Sequence, residues 1–183
     1  YAIYRKTYEG NDAWGRITTI SGNETLDWTD TTAEDGIIYR YTVRALAGSD
    51  LKTLSGCRNT GRTMVRLGSS SFTTVEVTDS TSVECTWETL SYVTGYEIRF
   101  VNGESKEVFR VKGSEVTAKT FESLKEETSY SVQIRNYKVL DGVGTFYSDW
   151  SEPVEVNTAE WGEIEEEEQS KKVTLTGKVS DLN

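Results

Sequence analysis

Carboxylates are the most numerous reactive side chains in this chain of 183 residues, which has 30 Asp and Glu, two Cys and no His. A pair of carboxylates can act as general acid and base, as in glycoside hydrolysis. On strands, however, alternate residues face solvent, so most of these carboxylates are expected to be solvated. The lack of His removes the commonest general base, and the sequence has no Gly-rich phosphate loop or nucleophile elbow. We therefore predict a protein that is not an enzyme and needs no cofactor.

Metal ligation is the second chemistry that these residue types allow. Cys57 and Cys85 are too few for a thiolate zinc site, and Cys85 alternates with Val83 and Trp87, which predicts a buried free thiol. The acidic run at residues 163–168 lacks the alternating Asp, Asn and Gly of a calcium loop, so a solvated, self-repelling linker is the better interpretation. We predict no metal site.

Aromatic side chains are the remaining candidates for binding chemistry, and the chain has five Trp, ten Tyr and five Phe. Trp14 and Trp28 are not easily placed in a core, and Trp150 has Arg135 and Lys138 as candidate cation–π partners. If exposed, these three tryptophans would offer a binding surface for a surface glycan or a protein. The alternative is that each is a structural or singly exposed ring, as apolar surface residues often are.

The charge balance argues against two classes of partner. The formal net charge is −10, and neutralising nucleic-acid phosphates needs a basic surface, so we predict no nucleic-acid binding. No apolar run approaches the roughly 20 residues of a transmembrane helix, so we predict no membrane insertion. The charge is uneven, because residues 1–66 sum to +1, residues 67–157 to −7 and residues 158–183 to −4.

Strand signals dominate the chain, and helix signals are nearly absent. Runs in which apolar and polar residues alternate are separated by turn formers such as Asn102-Gly103 and Asp141-Gly142. Short strands at intervals of about 8–12 residues are typical of an antiparallel sandwich. The predicted strands are residues 1–6, 37–46, 72–77, 83–87, 96–101, 108–111, 116–121 and 130–137.

The chain also contains an internal repeat. The segment at residues 1–5 (YAIYR) recurs at residues 96–100 (YEIRF), an offset of 95. The segment at residues 39–44 (YRYTVR) recurs at residues 130–135 (YSVQIR), an offset of 91. A period of this length is too long for a solenoid and predicts a tandem of whole small domains.

The second repeat resembles a fibronectin type III domain. Trp87 lies on its second predicted strand, residues 124–134 read L-x-x-x-T-x-Y-x-V-x-I, and residues 145–151 (TFYSDWS) are similar to the last strand of many bacterial surface copies of this domain. The resemblance covers residues 1–157. It implies an all-β fold of two tandem immunoglobulin-like (fibronectin type III) antiparallel β-sandwiches, followed by an acidic tail, in a protein of the bacterial cell-surface or secreted kind.

The resemblance implies three segments. Residues 1–66 are expected to be a fibronectin type III-like domain without its first two strands, residues 67–157 a complete domain, and residues 158–183 an acidic linker with a strand segment. Leu124 and Tyr130 correspond to the family's tyrosine corner. The implied core residues are Trp87, Tyr96, Leu124, Tyr130 and Tyr39.

The same resemblance implies a non-catalytic spacer or binding module of a multi-domain surface or secreted protein, located outside the cell. Its role would be adhesion or ligand presentation, with a surface glycan or protein as partner. The sequence has no Arg-Gly-Asp triplet, so an integrin-type site is not predicted. The alternative function is an accessory spacer of a secreted hydrolase whose catalytic domain lies outside these residues.

The tail carries a strand-like segment of its own. Residues 173–183 (VTLTGKVSDLN) resemble residues 83–88 and the residues after them, with Gly177 at the position of Trp87. One interpretation is that the tail begins a third module. The other is that residues 171–183 complete the first unit, in cis or by strand exchange with another copy. Residues 158–171 span at most about 45–50 Å when extended, which makes completion in trans at least as feasible as completion in cis.

Overall fold

The computed structural model describes residues 1–22, 27–47, 52–53 and 61–158. Cys57, the acidic run 163–168 and the tail segment 171–183 lie outside these residues. Within the described ranges every regular element is a β-strand, and the strands pair with antiparallel neighbours, which confirms the predicted all-β class. No helix in these ranges has the length and hydropathy needed to cross a membrane. The described residues divide into two compact units, one within Tyr1–Gly68 and Tyr137–Ser148, and the other Ser69–Asn136 with residues 149–158.

The first six strands are β1 (Ala2–Thr7), β2 (Gly15–Thr19), β3 (Ile38–Arg44), β4 (Leu46–Ala47), β5 (Lys52–Thr53) and β6 (Arg62–Val65). Four of them form a sheet with the order β2-β1-β3-β6, which we call the first sheet. β1 lies inside this sheet, where Ile3 pairs with Thr18 on one side and with Val43 on the other. β4 and β5 form a separate two-stranded pair.

Side-chain alternation gives the first sheet two faces, because paired residues on neighbouring strands point to the same side. The register sets Ile3 opposite Val43 and Arg5 opposite Tyr41, and sets Lys6 opposite Arg40. The inner face carries Ile3, Arg5, Tyr39, Tyr41 and Val43. The outer face carries Ala2, Tyr4, Lys6, Arg40, Thr42 and Arg44.

The remaining strands are β7 (Phe72–Asp79), β8 (Ser82–Trp87), β9 (Gly95–Asn102), β10 (Ser105–Lys112), β11 (Ala118–Phe121), β12 (Ser129–Leu140), β13 (Gly144–Tyr147) and β14 (Val154–Asn157). They form two sheets, which together we call the sandwich. One sheet has the order β11-β8-β7, and the other has the order β10-β9-β12-β13 with β14 also paired to β12.

The sandwich has a closed apolar core between its two sheets. The Trp87 ring centroid lies 5.4 Å from that of Tyr96, and the Phe100 centroid lies 5.1 Å from that of Phe121. The Tyr130 hydroxyl accepts a hydrogen bond of 2.9 Å from the backbone N–H of Lys125, which fixes the turn before β12. Burial of each large apolar side chain stabilises the fold by about 1.5–3 kcal/mol. The buried core includes Val83, Cys85, Trp87, Tyr96, Ile98, Phe100, Phe121, Leu124, Tyr130, Val132 and Ile134.

Each of the eight predicted strand runs contains an observed strand, with ends that differ by a few residues. The run 37–46 is divided at Ala45 into β3 and β4. The predicted runs did not include β2 or β6, the edge strands of the first sheet, and they did not include β5, β13 or β14. Edge strands are exposed along much of their length, so they lack the strict apolar alternation that marks an inner strand.

Candidate functional site

The structure places the three predicted binding tryptophans in different surroundings. The Trp14 ring centroid lies 5.7 Å from the Nζ atom of Lys6, a residue of the outer face. Trp28 is 39% exposed and lines a cleft over the inner face. Trp14 and Trp28 therefore belong to opposite faces of the first sheet, and Trp150 belongs to the sandwich.

The outer face stacks guanidinium groups on aromatic rings. The Arg44 Cζ atom lies 4.6 Å from the centroid of the Tyr4 ring, and the Arg40 Cζ atom lies 4.5 Å from that of Tyr8. A contact of this kind contributes about 0.5–1 kcal/mol at exposed sites and about 2 kcal/mol when desolvated. We call this group of side chains the cationic face; it consists of Tyr4, Lys6, Tyr8, Trp14, Arg40 and Arg44.

A glycine allows Trp14 to lie close to the first sheet. Gly61, just before β6, has a φ of +58°, a left-handed conformation that glycine adopts without strain. A Cβ atom at this position would lie 2.6 Å from Cη2 of Trp14 and 2.7 Å from the carbonyl oxygen of Tyr41. Gly61 is thus required both for the backbone conformation and for the approach of the indole.

The two arginines of the cationic face, Arg40 and Arg44, have no ion-pair partner among the described carboxylates. The Nε atom of each of these two guanidinium groups is also buried without a hydrogen-bond partner. Anionic oxygen atoms brought to this face would form charge-assisted hydrogen bonds, which are about twice as strong as neutral ones.

The sandwich shows the same strand positions with their charges balanced. Glu97 is 5% exposed, and its two carboxylate oxygens accept hydrogen bonds of 2.9 Å from Nε of Arg110 and from Nε of Arg135. Burial alone would raise the pKa of Glu97, but the hydrogen bonds from both arginines outweigh burial and hold the pKa below its ordinary value. In the repeat, Ala2 stands at the position of Glu97 and Arg44 at that of Arg135. The first sheet therefore keeps the cation without the carboxylate.

Trp150 contacts two guanidinium groups. The Cζ atoms of Arg99 and Arg135 lie 4.3 and 4.4 Å from the centroid of its ring. The structure shows the expected contact with Arg135, and Arg99 supplies a second cation that the sequence did not single out. Lys138 is three residues beyond Arg135 on the same strand, so it points to the opposite face. Two guanidinium groups of the sandwich thus contact the Trp150 ring, which favours a structural role.

The inner face of the first sheet contains a buried carboxylate. Asp30 accepts hydrogen bonds from Nη1 of Arg5 at 2.7 Å, from the hydroxyl of Tyr41 at 2.9 Å and from the backbone N–H of Thr32 at 2.9 Å. Burial alone would raise the pKa of Asp30, but these hydrogen bonds outweigh it and lower the pKa. Burial, together with the adjacent Asp30 carboxylate, raises the pKa of Tyr41 to about 12.

The inner face beside Asp30 opens into a cleft of about 800 Å³. Three of the apolar side chains that line it are exposed: Val43 by 57%, Met64 by 44% and Trp28 by 39%. Tyr39 is 6% exposed and packs against the guanidinium group of Arg5, whose Cζ atom lies 4.4 Å from the ring centroid. The cleft is therefore an apolar surface with one buried ion pair beside it.

The described residues support binding chemistry better than bond-making chemistry. Among them, no group of three or more Cys, Asp or Glu side chains could hold a metal ion. Cys85 is a buried free thiol, and burial raises its pKa to about 12, which keeps it protonated at neutral pH. A protonated thiol is a poor nucleophile. The cations and rings of the outer face are the stronger candidate site.

Sequence reasoning missed Glu97, Arg99 and the ion pair of Arg5 with Asp30. A signal for the ion pair was available, because Arg5 stands at the position of Phe100 in the repeat. A charged residue at a core-facing position of a strand predicts a buried partner. The partner itself was not identifiable from the sequence, because many carboxylates were available.

Comparison with known proteins identifies the sandwich. Residues 68–157 match the family model of the fibronectin type III domain, so a domain of this type is recognised in this segment. No curated protein matches the chain.

Solved structures that are similar to the chain include fibronectin type III domains. The fn3 domain of human contactin 1 is 17% identical, with a TM-score of 0.40, and the match covers 50% of this chain and 77% of that one. The chicken CNTN1 FN1-FN3 domains are 18% identical, with a TM-score of 0.41, and the match covers 85% of this chain and 55% of that one. The FN5 domain of Drosophila Lar is 21% identical, with a TM-score of 0.36 and coverage of 49% and 91%.

Proposed function

We propose that the chain is a non-catalytic binding module of a multi-domain extracellular protein, and that its cationic face binds an acidic glycan at a cell surface. Fibronectin type III domains are commonly non-catalytic modules of multi-domain proteins and are commonly extracellular. The observation that supports a binding role is the pair of guanidinium groups, Arg40 and Arg44, that no described carboxylate neutralises.

The cationic face offers two kinds of contact that suit an acidic polysaccharide. The guanidinium groups of Arg40 and Arg44 have the planar donor geometry that binds carboxylates bidentately. The rings of Tyr4, Tyr8 and Trp14 offer apolar surface with a polar edge, which suits a sugar ring. A polymer of uronic acids presents a carboxylate and a sugar ring at every residue.

The net charge of the chain sets the range over which this attraction acts. Because the chain carries −10 overall, a polyanion is attracted only close to the cationic face. At physiological salt the Debye length is about 8 Å, so contacts at the face are screened less than the distant acidic residues. We expect binding that weakens as salt is added and depends on individual arginines.

The experiment uses the full chain and immobilised polygalacturonate, with dextran as the neutral polymer. Arg44→Gln removes one cation from the cationic face, and we expect at least a tenfold weaker affinity for polygalacturonate. Arg62→Gln is the matched control, because it removes an exposed cation from the same sheet on the side of Tyr41, the inner face. We expect its affinity to change less than twofold.

Two results would contradict the proposal. One is equal loss of affinity in R44Q and R62Q, and the other is equal affinity of the protein for polygalacturonate and dextran. If the chain also captures no partner from cell-surface extracts, the adhesion role is excluded and a spacer role remains. A catalytic domain or a wall-anchoring signal in the parent gene would then separate a hydrolase spacer from a surface spacer.

A further inference from the structure

The sandwich has a long and regular strand, β10, at the edge of one of its sheets. β10 has eight residues, its neighbour among the described strands is β9, and the register between the two strands has no bulge. The other edges of the sandwich are shorter or irregular, because β11, β13 and β14 have four residues each and β7 has two register shifts against β8. Short and bulged edge strands resist the addition of another strand. β10 is therefore the edge of the sandwich that is best able to accept one.

The main-chain groups of β10 point alternately to its two sides. The N–H of Gly113, just after β10, donates a hydrogen bond of 3.0 Å to the carbonyl of Thr94, and this pair continues the register between β10 and β9. In an antiparallel ladder, every second residue exchanges hydrogen bonds with the neighbouring strand, and the residues between them point away from it. Counted back from Gly113, the N–H and C=O groups of Lys106, Val108 and Lys112 point away from β9. They are the donors and acceptors that an added strand would use.

The side chains at the same positions give this edge its charge. Arg110 lies opposite Glu97 and donates hydrogen bonds to it, so Lys106, Val108 and Lys112, at alternate positions, share the outer side of the sheet with this pair. Glu97 neutralises Arg110, whereas no described Asp or Glu forms an ion pair with either lysine. Val108 is 47% exposed. The edge thus presents an exposed apolar side chain with a cation on each side of it.

The two lysines decide which kind of strand fits this edge. When β10 pairs antiparallel with β10 of a second copy, centred on the same main-chain groups, Lys106 of each copy lies opposite Lys112 of the other. Like charges directly opposite each other destabilise a strand pair, and lysines on edge strands prevent such pairing in other proteins. An acidic strand has the reverse effect, because its carboxylates form ion pairs with the lysines. Charge complementarity therefore selects an acidic strand over a second copy.

We propose that β10 binds an extended acidic segment of another protein as an added antiparallel strand. Strand addition obtains affinity from main-chain hydrogen bonds and specificity from alternate side chains. The order Lys112, Val108, Lys106 along the added strand defines the ligand, which has an acidic residue, an apolar residue four positions later and a second acidic residue two positions after that. The proposal uses the sandwich alone, so it does not depend on glycan binding by the cationic face.

The probe is the nonapeptide TETSTVTET, whose glutamates are six residues apart, as Lys106 and Lys112 are. The control peptide TTESTVETT has the same composition, but its glutamates are four residues apart and cannot both lie opposite the lysines. Each peptide is titrated into the ¹⁵N-labelled full chain, and the amide chemical shifts report both the affinity and the place of binding. We expect TETSTVTET to shift the amides of β10 and the control peptide to bind about fivefold more weakly.

N-methylation of the peptide distinguishes strand addition from a general attraction between charges. In the proposed register, the valine of TETSTVTET lies opposite Val108 and its amide donates to β10, whereas the amide of the next threonine points away. A methyl group on the valine nitrogen should weaken binding about tenfold, because it removes a main-chain hydrogen bond. A methyl group on the threonine nitrogen should leave the affinity within about twofold. Equal losses from the two methyl groups would overturn the proposal.

Charge reversal on the protein tests the two lysines. Lys106→Glu combined with Lys112→Glu should weaken the binding of TETSTVTET about tenfold. The matched control is Lys119→Glu with Lys125→Glu, which changes the net charge equally at two other exposed lysines of the sandwich and should leave the affinity within about twofold. Equal affinity for the two nonapeptides, or no shift of β10 amides with either of them, would overturn the proposal. So would β10 shifts that grow with protein concentration alone, since they would indicate that two copies pair.

Discussion

The first sheet and the sandwich share a strand pattern but differ in what fills their inner faces. In the sandwich, Phe100 and Phe121 lie in contact in the core, 5.1 Å apart between ring centroids. The repeat offsets set Arg5 at the position of Phe100 and Asp30 at that of Phe121, and these two side chains form an ion pair of 2.7 Å. At these repeat-equivalent positions, the sandwich has a pair of rings and the first sheet has a pair of charges.

The outer faces also differ, but here the sandwich has the ion pairs and the first sheet lacks the carboxylate. The sandwich neutralises its arginines with Glu97, whereas the first sheet has Ala2 at that position and leaves Arg44 on the Tyr4 ring. Where a carboxylate pairs with the arginines, it accepts hydrogen bonds from their N–H groups. Where that carboxylate is missing, the N–H groups can donate to another molecule. The comparison teaches that repeat-equivalent strand positions can serve packing in one region and contact in another, and that single side chains decide which.

The largest expected effect tests whether the inner face of the sandwich is buried while that of the first sheet is exposed. Ile134→Ala removes a fully buried side chain from the sandwich and should lower the free energy of unfolding by about 2–5 kcal/mol. Val43→Ala, the repeat-equivalent change, should cost less than about 1 kcal/mol in a chain that ends at residue 170, because Val43 is 57% exposed. Chemical denaturation followed by circular dichroism measures both.

The full chain provides the control for this pair. If the tail covers the inner face, Val43→Ala should cost more in the full chain than in the shortened one. Equal costs for I134A and V43A in the shortened chain would show that the first sheet is closed without the tail, and the contrast between the two regions would be lost.

The second effect tests the charge balance of the sandwich. Glu97→Gln removes the carboxylate that two arginines share and should lower the free energy of unfolding by about 1–3 kcal/mol at pH 7. The folded pKa of Glu97 is lowered, so its contribution is complete above the unfolded value of about 4.3 and is lost as pH falls through the folded pKa. The difference between wild type and E97Q should therefore shrink in acid.

The control for this change is Glu155→Gln, which alters an exposed carboxylate on β14 of the same sandwich. Surface carboxylates of this kind affect stability by less than about 1 kcal/mol. A difference between wild type and E97Q that stays constant from pH 7 to pH 2 would show that the ion pairs do not stabilise the sandwich.

The sequence predicted the sandwich well because the alternation of apolar residues along its strands agrees with the side that is buried. Strict alternation in β8, β9 and β12 places Trp87, Tyr96 and Tyr130 on one side, and the observed core contains all three. Both sheets bury that side, so the pattern and the packing coincide.

The binding faces were less accessible to prediction for a physical reason. A cation–π contact such as Arg44 on Tyr4 depends on which face each side chain reaches, and this requires the register between β1 and β3. The same limit applies to Asp30, whose partners Arg5 and Tyr41 are 25 and 11 residues away. Trp14 and Trp28 could be singled out by residue type, but only the register shows that a sheet lies between them.

The smallest expected effect concerns the ion pair of the first sheet. Asp30→Asn removes the charge that accepts from Arg5 and Tyr41 and should lower the free energy of unfolding of the first sheet by about 1–2 kcal/mol. The substitution changes no side chain of the sandwich, so hydrogen exchange should rise at β3 amides and stay unchanged at β9 amides. Asp35→Asn is the matched control, because its pair with Arg66 is exposed and contributes little.

Alkaline titration distinguishes the effect of the Asp30 charge on the pKa of Tyr41 from the effect of burial. Its folded pKa of about 12 lies above the ordinary value of 10, so its contribution to stability is complete below about pH 10 and is lost as pH rises toward 12. In D30N the pKa of Tyr41 should fall but remain above 10, because burial is the larger cause and persists. Tyrosinate absorbance, compared with that of Tyr41→Phe, follows this group among the ten tyrosines. An alkaline titration identical in wild type and D30N would show that the Asp30 charge does not act on Tyr41. The charge in the inner face of the first sheet would then have no electrostatic effect on this neighbour.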